Sequence, residues 1–183
     1  KNSLILSINP KYFQLTMNSD LIYKEIDTLD EISNFPTERI LVRNRPIYYS
    51  YKLNENQINA KNLKKIFDFS LFYGIYPTFS NPDNEPFSIW DNKDKLNELI
   101  PFIKYYDFIS QIEKRGFVSE TYSSISNGNL LRFGDYPEIF FTIDGDGLLT
   151  IDKTSLNIDD NFKIVDLLED KELEYKVENG VIK

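Results

Sequence analysis

The stretch LFYGIYPTFSNPDNEPFSIWD, Leu71 to Asp91, decides how the chain is read. Its first residues close a helical pattern in which Leu63, Ile66, Phe67 and Leu71 fall at the spacing of one helix face. Gly74 either ends that helix or opens the next strand. GIYPTF then reads as a short strand, and the proline-rich remainder as a loop running to Asp91, a residue suited to cap the next helix. Helix, strand, loop and helix in this order make one β/α unit. The whole stretch gathers Tyr76, Phe79, Phe87 and Trp90, the chain's single tryptophan, around three prolines, and it reads either as buried core or as a binding surface.

The same alternation extends toward the N-terminus. SLILSI (Ser3 to Ile8) is a buried strand ending at Asn9-Pro10, LIYKEID (Leu21 to Asp27) a second strand, and PIYYSYKL (Pro46 to Leu53) a third, rich in the aromatics that strands favour. Between the last two, Pro36 suits the first turn of a helix carrying Thr37, Glu38 and Arg39. Beyond Asp91, an apolar stripe of Leu96, Leu99, Ile100, Ile103, Tyr106 and Ile112 predicts a helix that Pro101 bends or interrupts and that ends at Lys114-Arg115-Gly116.

After Gly116 the apolar period changes from helical to two. FVSETY, NLLRF, EIFFTI, GLLTID, FKIVDLL, LEYKV and VIK are strand-like. Turn signals separate them at Asn127-Gly128-Asn129, Asp144-Gly145-Asp146-Gly147 and Asn179-Gly180. The expected class is therefore α/β plus all-β, with an alternating segment over residues 1–122 and an antiparallel β-sandwich over 123–183. Four β/α units cannot close an eight-stranded barrel, so a barrel's other half is expected outside this chain, whose ends read as cuts within a longer protein.

Composition narrows the chemistry. A net charge of -8 argues against nucleic acid and against an anionic membrane surface as partners, and no apolar run approaches the roughly 20 residues of a membrane span. The chain has no cysteine and no histidine, which removes thiolate chemistry and every histidine-based triad or zinc site. Proton transfers would fall to carboxylates with tyrosine or lysine. Localisation cannot be read from these features.

The order of segments resembles the C-terminal half of a TIM-barrel glycoside hydrolase. The likeness rests on a strand ending in Asn9, one ending in Glu25 and Asp27, the Arg39-to-Pro46 link, LFYGIYPTF, a proline-broken helix ending KRGF, and then RFG and EIFFTI. TIDKTSLNIDDNFKIVDLLEDKELEYKVENGVIK is similar to the small β-sandwich that follows such barrels. The resemblance implies a carbohydrate-active enzyme that hydrolyses glycosidic bonds with a carboxylate pair, acts on an oligo- or polysaccharide, and needs no cofactor or metal. It also implies a barrel completed by the rest of the same protein or by a second copy.

Such barrels place their chemistry at the C-terminal ends of strands. Glu25 is then the candidate catalytic carboxylate, against the plain reading of a solvated strand-end acid paired with Lys24 or Lys52. Asn9, Asp27, Tyr51, Tyr76, Asp83 and Trp90 are the candidate substrate contacts. The plain readings favour Asp27 as a turn residue and Asp83 and its neighbour Glu85 as solvated loop acids, and Trp90 reads also as a hydrophobic plug beside a helix start. Of Tyr48, Tyr49 and Tyr51, which alternate faces, some must be core. Asp144-Gly145-Asp146-Gly147 resembles a calcium loop but lacks its terminal glutamate, so a tight turn is expected there. The alternative function is a non-catalytic carbohydrate- or protein-binding or structural fragment, with the β module recognising the ligand.

Overall fold

Alternation of side chains along LIYKEI and IYYSYK splits each strand into an apolar and a polar face, and the fold of the first half follows from which face finds helices. A computed structural model describes residues 5–7, 20–33, 36–82 and 89–183. It divides into two units, Lys1–Lys114 and Arg115–Lys183. The expected boundary at Tyr122 falls within the second unit, because the short strand Phe117–Val118 pairs antiparallel with Ser123–Phe133.

In the first unit, strands β1 (Ile5–Ser7), β2 (Leu21–Ile26), β3 (Ile47–Lys52) and β4 (Tyr76–Ser80) form a sheet in sequence order, every neighbouring pair parallel. Helices α1 (Thr37–Leu41) and α2 (Ala60–Tyr73) cross between β2 and β3 and between β3 and β4. The helical segment that follows β4 is broken into α3 (Lys93–Leu99), a 3-10 turn (Ile100–Phe102) and α4 (Lys104–Arg115). Pro101 lies in that turn, where the missing N–H ends the α-helical ladder as the sequence predicts. Asn92, rather than the expected Asp91, caps α3, its side chain accepting from the Asp94 and Lys95 amides. Gly74 closes α2 in a left-handed conformation.

The core of this unit draws on one face of the sheet. Ile22 and Ile26 of β2, with Ile47, Tyr49 and Tyr51 of β3, bury against Leu63, Ile66 and Phe67 of α2 and Leu99 of α3. Phe67 is its centre, stacked on Phe102 at 5.2 Å and edge-on to Tyr105 and Tyr106 at 5.6 Å each. Arg39 of α1 is fully buried, with Nε donating to the Tyr73 carbonyl at 3.0 Å and Nη2 to that of Gly74 at 2.6 Å. These are carbonyls that the end of α2 leaves without helical partners. Arg39 ties α1 to the start of β4.

The second unit is one five-stranded antiparallel sheet, in the order β10 (Val177–Glu178), β11 (Val181–Ile182), β7 (Phe140–Asp152), β6 (Ser123–Phe133) and β5 (Phe117–Val118). A separate ribbon pairs β8 (Val165–Asp166) with β9 (Lys171–Glu172). The expected sandwich is thus reduced among the described residues to one sheet. Ile151 and Ile182 of that sheet are covered by Leu156, Ile158, Phe162, Ile164 and Tyr175, from a segment with little regular structure. Asn179-Gly180 makes the predicted tight turn between β10 and β11.

The two other turn signals are not turns. Asn127-Gly128-Asn129 and Asp144-Gly145-Asp146-Gly147 lie inside β6 and β7 and face each other, with Gly128 opposite Gly145, Asn129 opposite Asp144 and Asn127 opposite Asp146. EIFFTI and GLLTID therefore join into the single strand β7. The cause is close backbone approach. A Cβ on Gly128 would lie 2.4 Å from the Asp144 carbonyl oxygen, and one on Gly145 2.3 Å from that of Asn127. Both glycines also hold positive φ, beside a register shift between Ile125 and Asn127. Neither a calcium loop nor a hairpin turn survives at residues 144–147.

Gly128→Ala and Gly145→Ala should each cost about 2 kcal/mol or more, since backbone must move in both strands. Urea unfolding of each variant checks this, and a loss below ~0.5 kcal/mol for either would contradict the close packing.

Candidate functional site

In a parallel sheet, residues in register project to the same side, and alternate residues share a face. Register therefore aligns the side of the first sheet opposite the core. Tyr23, Tyr48 and Tyr76 form one row across β2, β3 and β4, and Glu25, Ser50 and Thr78 form the next, toward the C-terminal ends of the strands. Lys52 and Ser80 follow beyond them. None of these side chains belongs to the buried apolar cluster. The face is built of hydroxyls, an ammonium and a carboxylate.

Local bonds fix it. Tyr48 and Tyr76 stack at 5.0 Å with their planes 20° apart. The Ser50 and Ser80 hydroxyls are 3.1 Å apart, and the Thr78 hydroxyl donates to the Tyr49 carbonyl at 3.3 Å. Lys52 Nζ lies 3.3 Å from Glu25 Oε2 and 3.2 Å from Asp27 Oδ1, so one ammonium bridges two carboxylates. The side chain of Glu25 is 51% exposed and that of Asp27 70%, which leaves both within reach of a ligand from solvent.

The residues singled out from sequence divide accordingly. Glu25 stands at the C-terminal end of β2 on the polar face, with Asp27 joined to it through Lys52. The plain reading's partner Lys52 is present, whereas Lys24 turns to the opposite face and pairs with Glu38 at 3.4 Å. Tyr76 shares the polar face with Glu25, one row toward the strand N-termini. Tyr51 does not: strand alternation puts it with Ile47 and Tyr49 in the core, fully buried, so it is a packing residue. Trp90 is 64% exposed in the turn before α3, while its neighbour Ile89 is the buried plug. Asn9, Asp83 and Glu85 lie outside the described residues.

Two contacts hold the loops that follow β3 and β4 together: Asn92 Nδ2 donates to Glu55 Oε1 at 3.1 Å and Lys95 Nζ to the Ile58 carbonyl at 3.0 Å. Ser50, Thr78 and Ser80 were not singled out from sequence as site residues. Their signal is the alternation in IYYSYK and YPTFS, in which every second residue is polar or carries a hydroxyl. Among the described residues, no group of three or more His, Cys, Asp or Glu side chains could hold a metal ion, and no helix is long and apolar enough to cross a membrane.

Burial sets the titration of the tyrosines behind this face. It raises the pKa of Tyr51, with the neighbouring Ser70 hydroxyl opposing, and raises that of Tyr49, whose hydroxyl donates to the buried Glu38 carboxylate at 3.1 Å. It pushes Tyr106, which donates to the Pro77 carbonyl at 2.6 Å, up to about 12. The same burial pulls Arg39 down to about 10 against the favourable field of Glu113.

No family model, no curated protein and no solved structure matches this chain.

Two buried tyrosines, Tyr49 and Tyr51, and the half-buried Tyr106, which hold their protons more tightly when folded, should make the protein unstable to alkali. The unfolded chain releases these protons near pH 10.0, and the folded one holds that of Tyr106 up to about 12. That stability is complete below pH 10.0 and is lost as pH rises through 12, while Arg39, with its lowered pKa, works in the opposite sense as a single group. Melting temperature against pH, followed with tyrosinate absorbance, checks it. Stability that holds or rises across this window would contradict the burial of Tyr49 and Tyr51 and the half-burial of Tyr106.

Proposed function

We propose that the chain is part of a carbohydrate-active enzyme that hydrolyses glycosidic bonds with a carboxylate pair. In this reading its parallel sheet is the C-terminal part of an eight-stranded β/α barrel, followed by an antiparallel β module. The observation that carries the reading is the polar face with Glu25 at its C-terminal edge. Open parallel sheets are ordinarily covered by helices on both sides. Here neighbours in the sheet are neighbours in sequence and the apolar core uses one face only, which is what a segment of barrel wall requires, its other face lining the interior. The remaining strands come from the rest of the protein or from a second copy.

The chemistry follows from what glycosidic cleavage demands. One carboxylic acid protonates the departing oxygen, while a carboxylate attacks the anomeric carbon or takes a proton from the attacking water. Glu25, an anion paired with Lys52, fits the carboxylate role, and the proton donor is supplied from outside the described face. Thr78 and Ser80 offer hydroxyls to a sugar, Ser80 held from behind by the buried Ser50. Tyr76 and Trp90 offer ring faces for its apolar side.

A second reading, non-catalytic carbohydrate recognition, is favoured by one specific feature. Glu25 and Asp27 share a single ammonium, and they are the carboxylates that the described polar face presents at that edge.

Glu25→Gln in the protein carrying the complete barrel should lower turnover of an aryl glycoside about 10³-fold, the scale of one acid–base or nucleophilic group. Its melting temperature should hardly change, because an exposed ion pair contributes little. Turnover near that of the parent removes Glu25 from catalysis. A parent that binds oligosaccharide without cleaving any glycoside supports the second reading.

A further inference from the structure

A cleft in the second unit, about 320 Å³ in volume, lies between the β6–β7 connection and the turn that follows β7. That volume is at the small end of small-molecule sites. Tyr122 and Tyr136, both more than two-fifths exposed, stand at it, and the buried Leu156 contributes an apolar surface. Arg132 lines the cleft although its side chain is only 4% exposed. Its guanidinium lies 5.7 Å from the Tyr122 ring centroid and 2.7 Å from Asp135, and both of these residues also line the cleft. Only Nη2 is used by Asp135; Nε and Nη1 are shielded from solvent and find no acceptor among the protein's groups. Unsatisfied buried donors on a guanidinium are rare and costly, and a bound ligand or water is the ordinary reason for them.

Backbone strain converges on the same place. Among the described residues four non-glycine residues hold positive φ, and two of them, Tyr122 at 48° and Asn157 at 53°, line this cleft. A bulky aromatic in that region is held there by its surroundings, as residues of ligand clamps are.

We propose that this cleft binds a single neutral sugar residue. The ligand must supply acceptors to Arg132 beside a carboxylate, Asp135, that needs donors. Adjacent hydroxyls of a pyranose do both at once, each accepting from one group and donating to the other. Tyr122 and Tyr136 match the apolar faces of such a ring. An anion is disfavoured, because the one guanidinium is already paired with a carboxylate and two further carboxylates bond residues of the cleft wall. Asp135 pairs with it directly, Asp152 binds Ser155 of the cleft wall, and Asp159 accepts from the Tyr136 hydroxyl. The nearby cation Lys153 is already paired with Asp160. This site is independent of the catalytic reading and stands even if Glu25 proves inert.

The test uses the 183-residue chain, a panel of neutral methyl glycopyranosides, and glucuronate as the charged comparator, with saturation-transfer NMR and calorimetry. At least one neutral glycoside should bind. Asp135→Asn and Tyr136→Ala, both at exposed positions, should each weaken that binding about tenfold, the value of one good polar or stacking contact; the melting temperature should hold for Tyr136→Ala and fall for Asp135→Asn, which removes the anion paired with the buried Arg132. Arg132→Lys should weaken it at least as much; if that variant fails to fold, the two exposed substitutions decide. The proposal is overturned if no neutral glycoside binds, if binding survives both exposed substitutions, or if glucuronate binds more tightly than the neutral sugars.

Discussion

A guanidinium with no exposed surface governs the first unit. Placing a charge in the interior costs several kcal/mol unless its hydrogen bonds are made, and Arg39 makes them to backbone carbonyls at 3.0 Å and 2.6 Å. Those carbonyls belong to Tyr73 and Gly74, where α2 ends and the chain turns toward β4. Because the donor sits on α1 and the acceptors precede β4, one bond pattern couples two successive crossovers. It places β4 against β3 with Tyr76 beside Tyr48. The row of aromatic and hydroxyl side chains on the polar face inherits its alignment from that anchorage.

From this alignment comes the division of labour across the sheet. Side chains that alternate along a strand cannot all serve the core, and here the division is nearly complete. Ile47, Tyr49 and Tyr51 pack against helices, whereas Tyr48, Ser50 and Lys52 remain on the other side. Lys52 then acts as a clasp between Glu25 and Asp27. Rigid strands carry the groups that matter to the proposed chemistry, which gives them fixed spacing along and across the sheet.

The parts of this arrangement that sequence revealed are those set by local chemistry. Pro101 interrupts its helix because it lacks an N–H, Gly74 closes α2 because it tolerates the left-handed conformation, and the period of two after Gly116 survives as antiparallel pairing. What sequence hid depends on partners distant along the chain. Tyr51 and Tyr76 look alike as strand tyrosines, and only register separates a core ring from a surface one. Arg39 reads as an ordinary residue of a short helix until the Gly74 carbonyl appears beside it. Arg132 reads from sequence as one residue of the strand NLLRF, and its unmade bonds emerge only when β6 and the turn after β7 are seen together.

The glycine pair in the long hairpin carries a further consequence. Antiparallel strands of this length have many near-equivalent alignments, and much of β6 and β7 is exposed enough that burial alone discriminates weakly between them. Gly128 and Gly145 act as a key in a lock. The narrowest point between the two backbones admits no Cβ from either side, so a slip by one residue brings a side-chain-bearing residue into that gap. Alignment of the whole ladder, from Phe133 opposite Phe140 to Ser123 opposite Ile151, is thereby specified by two absent methyl groups.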